Sequence, residues 1–165
     1  RGHSTGQPGL AFWWDDLDSG SELRRDLAFP AFGGASSDED SGVPRGDGFT
    51  GDEHGVLNRY FRWVAAEIVD ERDRFEIPIY ASVTPRAEPG PDGFPPLDDG
   101  YAGSLPLIVD VTPRRVQRFH CLPDEVIVWS HGSQRGTVTA NPDGSVTVPG
   151  IEVTQAAVPL VLSRG

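Results

Sequence analysis

Three groups of residues in this chain have the types and spacing to do chemistry. Asp38, Asp40, Asp47 and Asp52 bring oxygen donors together in the Gly- and Ser-rich stretch 33–56. Calcium takes roughly six to eight hard oxygen ligands from carboxylates, carbonyls and water, so these four are a candidate calcium site, with calcium as the expected cofactor if any is bound. Their spacing is not that of an EF-hand, which needs a Gly midway and a Glu at the end of its loop; a solvated acidic loop is the plainer reading. The second group is aromatic. Trp13 and Trp14 are adjacent and Trp63 lies in a later apolar run. An indole packs sheets and helices, and when exposed it can also stack on a sugar ring or anchor a partner chain.

The third group could support nucleophilic catalysis. Ser130-His131 puts a hydroxyl next to an imidazole, and Cys121 is the single thiol. Nucleophile–base pairs normally join distant segments, so a Ser beside a His reads as a turn, and Cys121 as a small buried hydrophobe. There is no Gly-x-Ser-x-Gly elbow and no His-x-x-x-His or Cys-x-x-Cys metal spacing. Lys is absent, which excludes a phosphate-cradling Gly-x-x-x-x-Gly-Lys loop. His54 beside Asp52 and Glu53 reads as a surface residue, and His3 as part of an extended start. Acids are abundant, but abundance does not place two carboxylates across a glycosidic bond. A catalytic site within the chain is not expected.

The whole-chain balance narrows the partners. Across 165 residues the net charge is −11 and the hydrophobic fraction 37%. Phosphate backbones need a basic footprint, so nucleic acid is not an expected partner. No apolar run approaches the roughly 18–20 residues of a membrane span. One Cys cannot form an internal disulfide. Every base is Arg and Met is absent, which suits a processed or fragmentary chain from a GC-rich bacterium, secreted or at the cell surface. With 20 Gly and 15 Pro the chain is loop-rich, yet its β-branched and aromatic content is that of a folded domain.

Short strands must position these residues. Candidate strands cover 107–111, 116–119, 125–129, 137–139, 146–148 and 159–162, with turn signals between them. Asn141-Pro142-Asp143-Gly144 predicts a type I turn. Upstream, 57–64 has strand content without a clean apolar face, and 65–73 is a charged connection. In 74–83, Phe75, Ile77, Ile79 and Ala81 share one face. Pro78 in that run demands either an edge strand or a nitrogen that points away from the ladder. Residues 28–32 read as an edge strand or a lid. Residues 18–27 predict a short helix capped by Asp18 or Ser19, with Leu23 and Leu27 as its apolar pair. Arg114 and Arg118 are expected to pair with acids rather than phosphate. The expected fold is an all-β, antiparallel immunoglobulin- or fibronectin-like sandwich with one short N-terminal helix and long acidic loops. Residues 1–56 form an extension and residues 57–165 the sandwich, with a second loop over 84–104.

The run from Val111-Thr112-Pro113-Arg114-Arg115 through Phe119, Trp129, Gly136-Thr137-Val138-Thr139 and Gly144 to Ile151 resembles the C-terminal β-sandwich regions of large secreted bacterial proteins, some with an α/β-hydrolase-like part upstream. The likeness spans most of 28–163. Its motifs are structural and transfer no catalytic residue. The turn after Phe119 departs from the pattern, with Leu122-Pro123-Asp124 in place of Pro-Gly. The resemblance implies a non-catalytic module that docks on another protein chain or domain. Two further expectations are a carbohydrate-binding module using Trp13, Trp14 or Trp63 with calcium, and a C-terminal fragment of a hydrolase.

Overall fold

The computed structural model describes residues 27–37, 58, 60–83 and 103–165. Trp13, Trp14, Asp38, Asp40, Asp47, Asp52, His3, His54 and, apart from Leu27, the expected helix lie outside the described residues. Period-two alternation sorts the described chain into nine strands. These are β1 (Phe29–Gly33), β2 (Phe61–Trp63), β3 (Val69–Asp70), β4 (Arg74–Ala81), β5 (Leu107–Arg114), β6 (Val126–His131), β7 (Gln134–Thr139), β8 (Val148–Val153) and β9 (Val158–Arg164). One sheet runs β1-β5-β8. The other runs β2-β4-β9-β6-β7, with β3 also paired to β4. All pairings are antiparallel. No α-helix occurs among the described residues, and no helix there is long and apolar enough to cross a membrane. The fold is all-β, two antiparallel sheets around one core.

Alternation builds that core. Phe75, Ile77, Ile79 and Ala81 of β4 are buried together, as the sequence predicts. Ile127, Leu160 and Leu162 join them from the larger sheet, and Leu107, Val109, Val111, Val148, Ile151 and Val153 face them from the smaller one. Each Phe, Ile, Leu or Val among them contributes roughly 1.5–3 kcal/mol on burial. Phe32 stacks on Phe61 with centroids 5.1 Å apart, tying β1 to β2 across the two sheets.

Prolines sit where the ladders lapse. Pro78 pairs with Pro159 across β4 and β9. The Pro78 carbonyl accepts from the Val64 N–H at 3.0 Å, so Pro78 faces away from β9, into the gap between β2 and β3. Of the two sequence alternatives, the outward nitrogen holds, because β4 is an interior strand. Pro159 faces the other way, past the end of β6 at His131. Pro30 pairs with Pro113 in the same manner. A residue without an N–H costs a sheet nothing where no acceptor waits.

Three expectations change. Residues 116–119 are a loop rather than a strand: Arg115 takes φ 52°, which turns the chain out of β5. Among the described residues of the strand expected over 57–64, only β2 is strand: Asn58 takes φ 59° and its carbonyl closes a turn with the Phe61 N–H. A 3-10 turn, Ala65–Glu67, follows β2. Pairing in the 146–148 run begins only at Val148. The 141–144 turn forms as expected, with Gly144 N–H donating to the Asn141 carbonyl at 2.8 Å and Gly144 at φ 77°. It joins β7 of one sheet to β8 of the other.

Leu160→Ala is expected to cost about 2–5 kcal/mol in urea unfolding, through lost burial and the cavity left behind, whereas Val128→Ala on the outer face of the same sheet should cost less than about 1 kcal/mol. Equal losses would contradict the assignment of inner and outer faces.

Candidate interaction site

The start of the loop between β5 and β6 is held by a single carboxylate. Asp70, at the end of β3, accepts from three successive backbone N–H groups: Gln117, Arg118 at 3.1 Å and Phe119 at 2.9 Å. Converging N–H groups make an anion-binding concavity, and here the protein fills it with its own side chain. Arg118 thus meets an acid through its backbone N–H. Phe119 is carried into the core beside Phe75, with ring centroids 6.4 Å apart. Sequence reasoning missed this arrangement. Residues 65–73 read as a charged connection, and nothing in the local pattern announces the turned backbone at Arg115.

Arg164 of β9 clamps the far end of the loop. Its guanidinium donates to Glu125 Oε1 and, at 2.7 Å, to the His120 carbonyl, lies 3.4 Å from Asp73 Oδ1 and covers the Phe119 ring. The other Glu125 oxygen accepts from the Leu122 N–H at 2.8 Å. That bond, together with Arg164, holds the Glu125 carboxyl below its usual range. Arg114 plays a lesser part of the kind expected of it, adding to the Ser145 hydrogen bonds that lower the Asp143 carboxyl.

Among the described residues, Ser130 and His131 do not form a nucleophile–base pair. Ser130 and His131 are successive strand residues, so their side chains leave opposite faces of the sheet. His131 is 4% exposed and its Nδ1 has no hydrogen-bond partner. Burial pushes its pKa down, with the backbone at Pro159 and Glu152 opposing. Cys121 is half-buried, and burial together with the nearby Glu125 charge pushes its thiol up, against Arg164. A thiol held protonated is a poor nucleophile. Among the described residues no group of three His, Cys, Asp or Glu is placed to hold a metal ion. Trp63 is half-buried at the β2 end of the larger sheet, 6.5 Å from the Phe32 ring.

The clamp also presents a surface. Leu122 is 70% exposed, Val126 55% and Val128 38%, in the loop end and on the outer face of β6. Thr139 and Thr137 of β7 stand opposite the two valines. Ser163 of β9 flanks Val128 on the other side. The two valines form an apolar strip bordered by hydroxyls, with Leu122 exposed in the loop just before β6; Arg164, in register with buried Ile127 and lying over the Phe119 ring, sits toward the opposite, inner face. Period two places Val126 and Val128 together in the sequence, but which face lies outward depends on the partner sheet.

Comparison of the chain with protein-family models, curated protein sequences and solved structures finds no significant match.

Two outcomes follow from the titratable groups. An unfolded imidazole takes up its proton near pH 6.5, whereas buried His131 does so only at lower pH. Protonation below that point therefore favours the unfolded chain, and stability falls as pH drops through it. Glu125 and Asp143, both lowered, lose their contributions only at more acidic pH. Thermal melts from about pH 7.5 to about 5.5 should show a smaller loss of Tm in His131→Leu than in the parent chain, and parallel curves would contradict the buried neutral ring. Separately, the alkylation rate of Cys121 should rise with a midpoint above the ordinary thiol value. A midpoint at or below it would show an activated thiol.

Proposed function

We propose that this chain is a non-catalytic module, an immunoglobulin- or fibronectin-like sandwich within a secreted bacterial assembly, that docks on another polypeptide chain or domain through the outer face of β6. The observation that carries this reading is the strip of Val126 and Val128, with Leu122 exposed just before β6. An apolar centre with a polar rim is the anatomy of a protein interface. The strip contains no aromatic ring, so it offers nothing for a sugar to stack on, and Trp63 belongs to β2 at the other end of the sheet order. That favours a polypeptide over a carbohydrate as the occupant. The strip is also held in place before binding, because Glu125 and Arg164 fix the turn from which β6 starts; a preorganised surface loses less entropy on association.

Native mass spectrometry of the protein from its source, with hydrogen exchange on the complex, tests the reading. A second polypeptide should be retained, with new protection over β6. The double variant Val126→Ser, Val128→Ser should melt close to the parent yet bind that polypeptide about tenfold or more weakly. Protection of β6 by added glycans, or undiminished binding by the double variant, would overturn it.

A further inference from the structure

The strand edges of this sandwich are not treated alike. In β1 the Pro30 nitrogen faces outward, and the Phe32 carbonyl on the same side is taken by Asn58 Nδ2 at 3.1 Å. On β8 the Gln134 amide imitates a neighbouring strand, donating to the Gly150 carbonyl at 3.2 Å and accepting from the Glu152 N–H at 2.9 Å. At the other end of the larger sheet, β2 and β3 are three and two residues long, with a 3-10 turn between them. Each is a recognised way to stop an edge from pairing further.

Among the described residues, β7 has no such protection. It is six residues long, contains neither Pro nor Lys, and stays in register with β6 from end to end. Ala140 N–H donates to the Glu125 carbonyl, so the even-numbered backbone groups of β7 point toward β6. The N–H and C=O groups of Arg135, Thr137 and Thr139 therefore line the free edge, and no hydrogen bond among the described residues reaches them from outside. The one glycine in the strand, Gly136, is covered by the Trp129 indole, whose nearest atom lies 3.0 Å from where a Cβ would stand. An aromatic over an edge glycine keeps the strand flat and extended.

We propose that β7 pairs antiparallel with β7 of a second copy of this chain, joining two larger sheets into one about a twofold axis through Thr137. In that register Arg135 faces Thr139 of the partner strand at both ends and Thr137 faces its own equivalent. No like charges stand opposite one another, and a cross-strand Thr–Thr pair is favourable. Arg135 is also brought to the end of the strand from which the turn bearing the ionised Asp143 departs. The edge carries the right valence for this partner: three residues on each copy, spaced to exchange hydrogen bonds across about 4.8 Å. An isologous contact of this kind closes at two copies. It stands whether or not a different polypeptide covers the Val126–Val128 face.

The full chain, studied by sedimentation equilibrium and by amide exchange at rising concentration in about 0.15 M salt, where charge between copies is screened beyond about 8 Å, decides the matter. A monomer–dimer equilibrium is expected, with exchange slowing on association at Arg135, Thr137 and Thr139. Thr137→Pro, which removes the central N–H, should weaken dimerisation about tenfold or more. Thr137→Lys keeps the strand N–H and places like charges on the axis, so it should also weaken the dimer and guards against a folding defect in the proline variant. A chain that remains monomeric, a dimer whose three edge amides exchange as in the monomer, or a dimer unaffected by Thr137→Lys would each overturn the proposal.

Discussion

Every backbone N–H and C=O that leaves water needs a partner, and the way this chain meets that demand shapes its sandwich. With 15 prolines, many positions cannot donate at all. In the two cross-strand pairs, Pro78 with Pro159 and Pro30 with Pro113, the ladder lacks a bond on that side in any case. Where strands do leave groups over, side chains take them. Asp110 accepts the Gly150 N–H at the irregularity between β5 and β8, and Gln134 completes the outer side of β8. The core between the sheets is mostly apolar because much of the polar work is done at its margins, with His131 the buried imidazole among its residues.

The Asp70 and Arg164 clusters extend the same logic to a loop. Residues 115–125 have no strand partner, yet they cover one end of the core and deliver Phe119 into it. A carboxylate from β3 satisfies three N–H groups, and a guanidinium from β9 satisfies a carbonyl and a second carboxylate. These contacts join segments far apart in sequence, so the loop's conformation is a consequence of the sheet already being formed. The chemistry nearby is subdued: Glu125 serves as a brace, and burial, with the Glu125 charge, keeps Cys121 protonated against the pull of Arg164.

Among the described residues of a module braced in this way, two surfaces are left without a partner, the valine strip on β6 and the edge of β7. They differ in kind. The strip asks only for apolar area and tolerates many partners, whereas the edge asks for an extended backbone in a particular register. Both lie at the same end of the larger sheet, so an oligomer formed through one would present the other twice.

Residue pattern alone sets the class of fold and the inner faces of the strongest strands. Alternation in 74–81 and the turn at 141–144 are local facts of residue type, and they survive because burial and turn chemistry act within a few residues. It could not determine that Val116-Gln117-Arg118-Phe119, with its own alternation, would be a loop. That outcome rests on a positive φ at Arg115 and on Asp70, more than forty residues earlier in the chain. Nor could it say that Ser130 and His131 would face apart from one another on opposite sides of a sheet, or that Gln134 would close an edge it is not part of. Those points are settled by packing, because unpaired backbone groups and buried charges seek partners in space, and only the packed sheets say which partners are within reach.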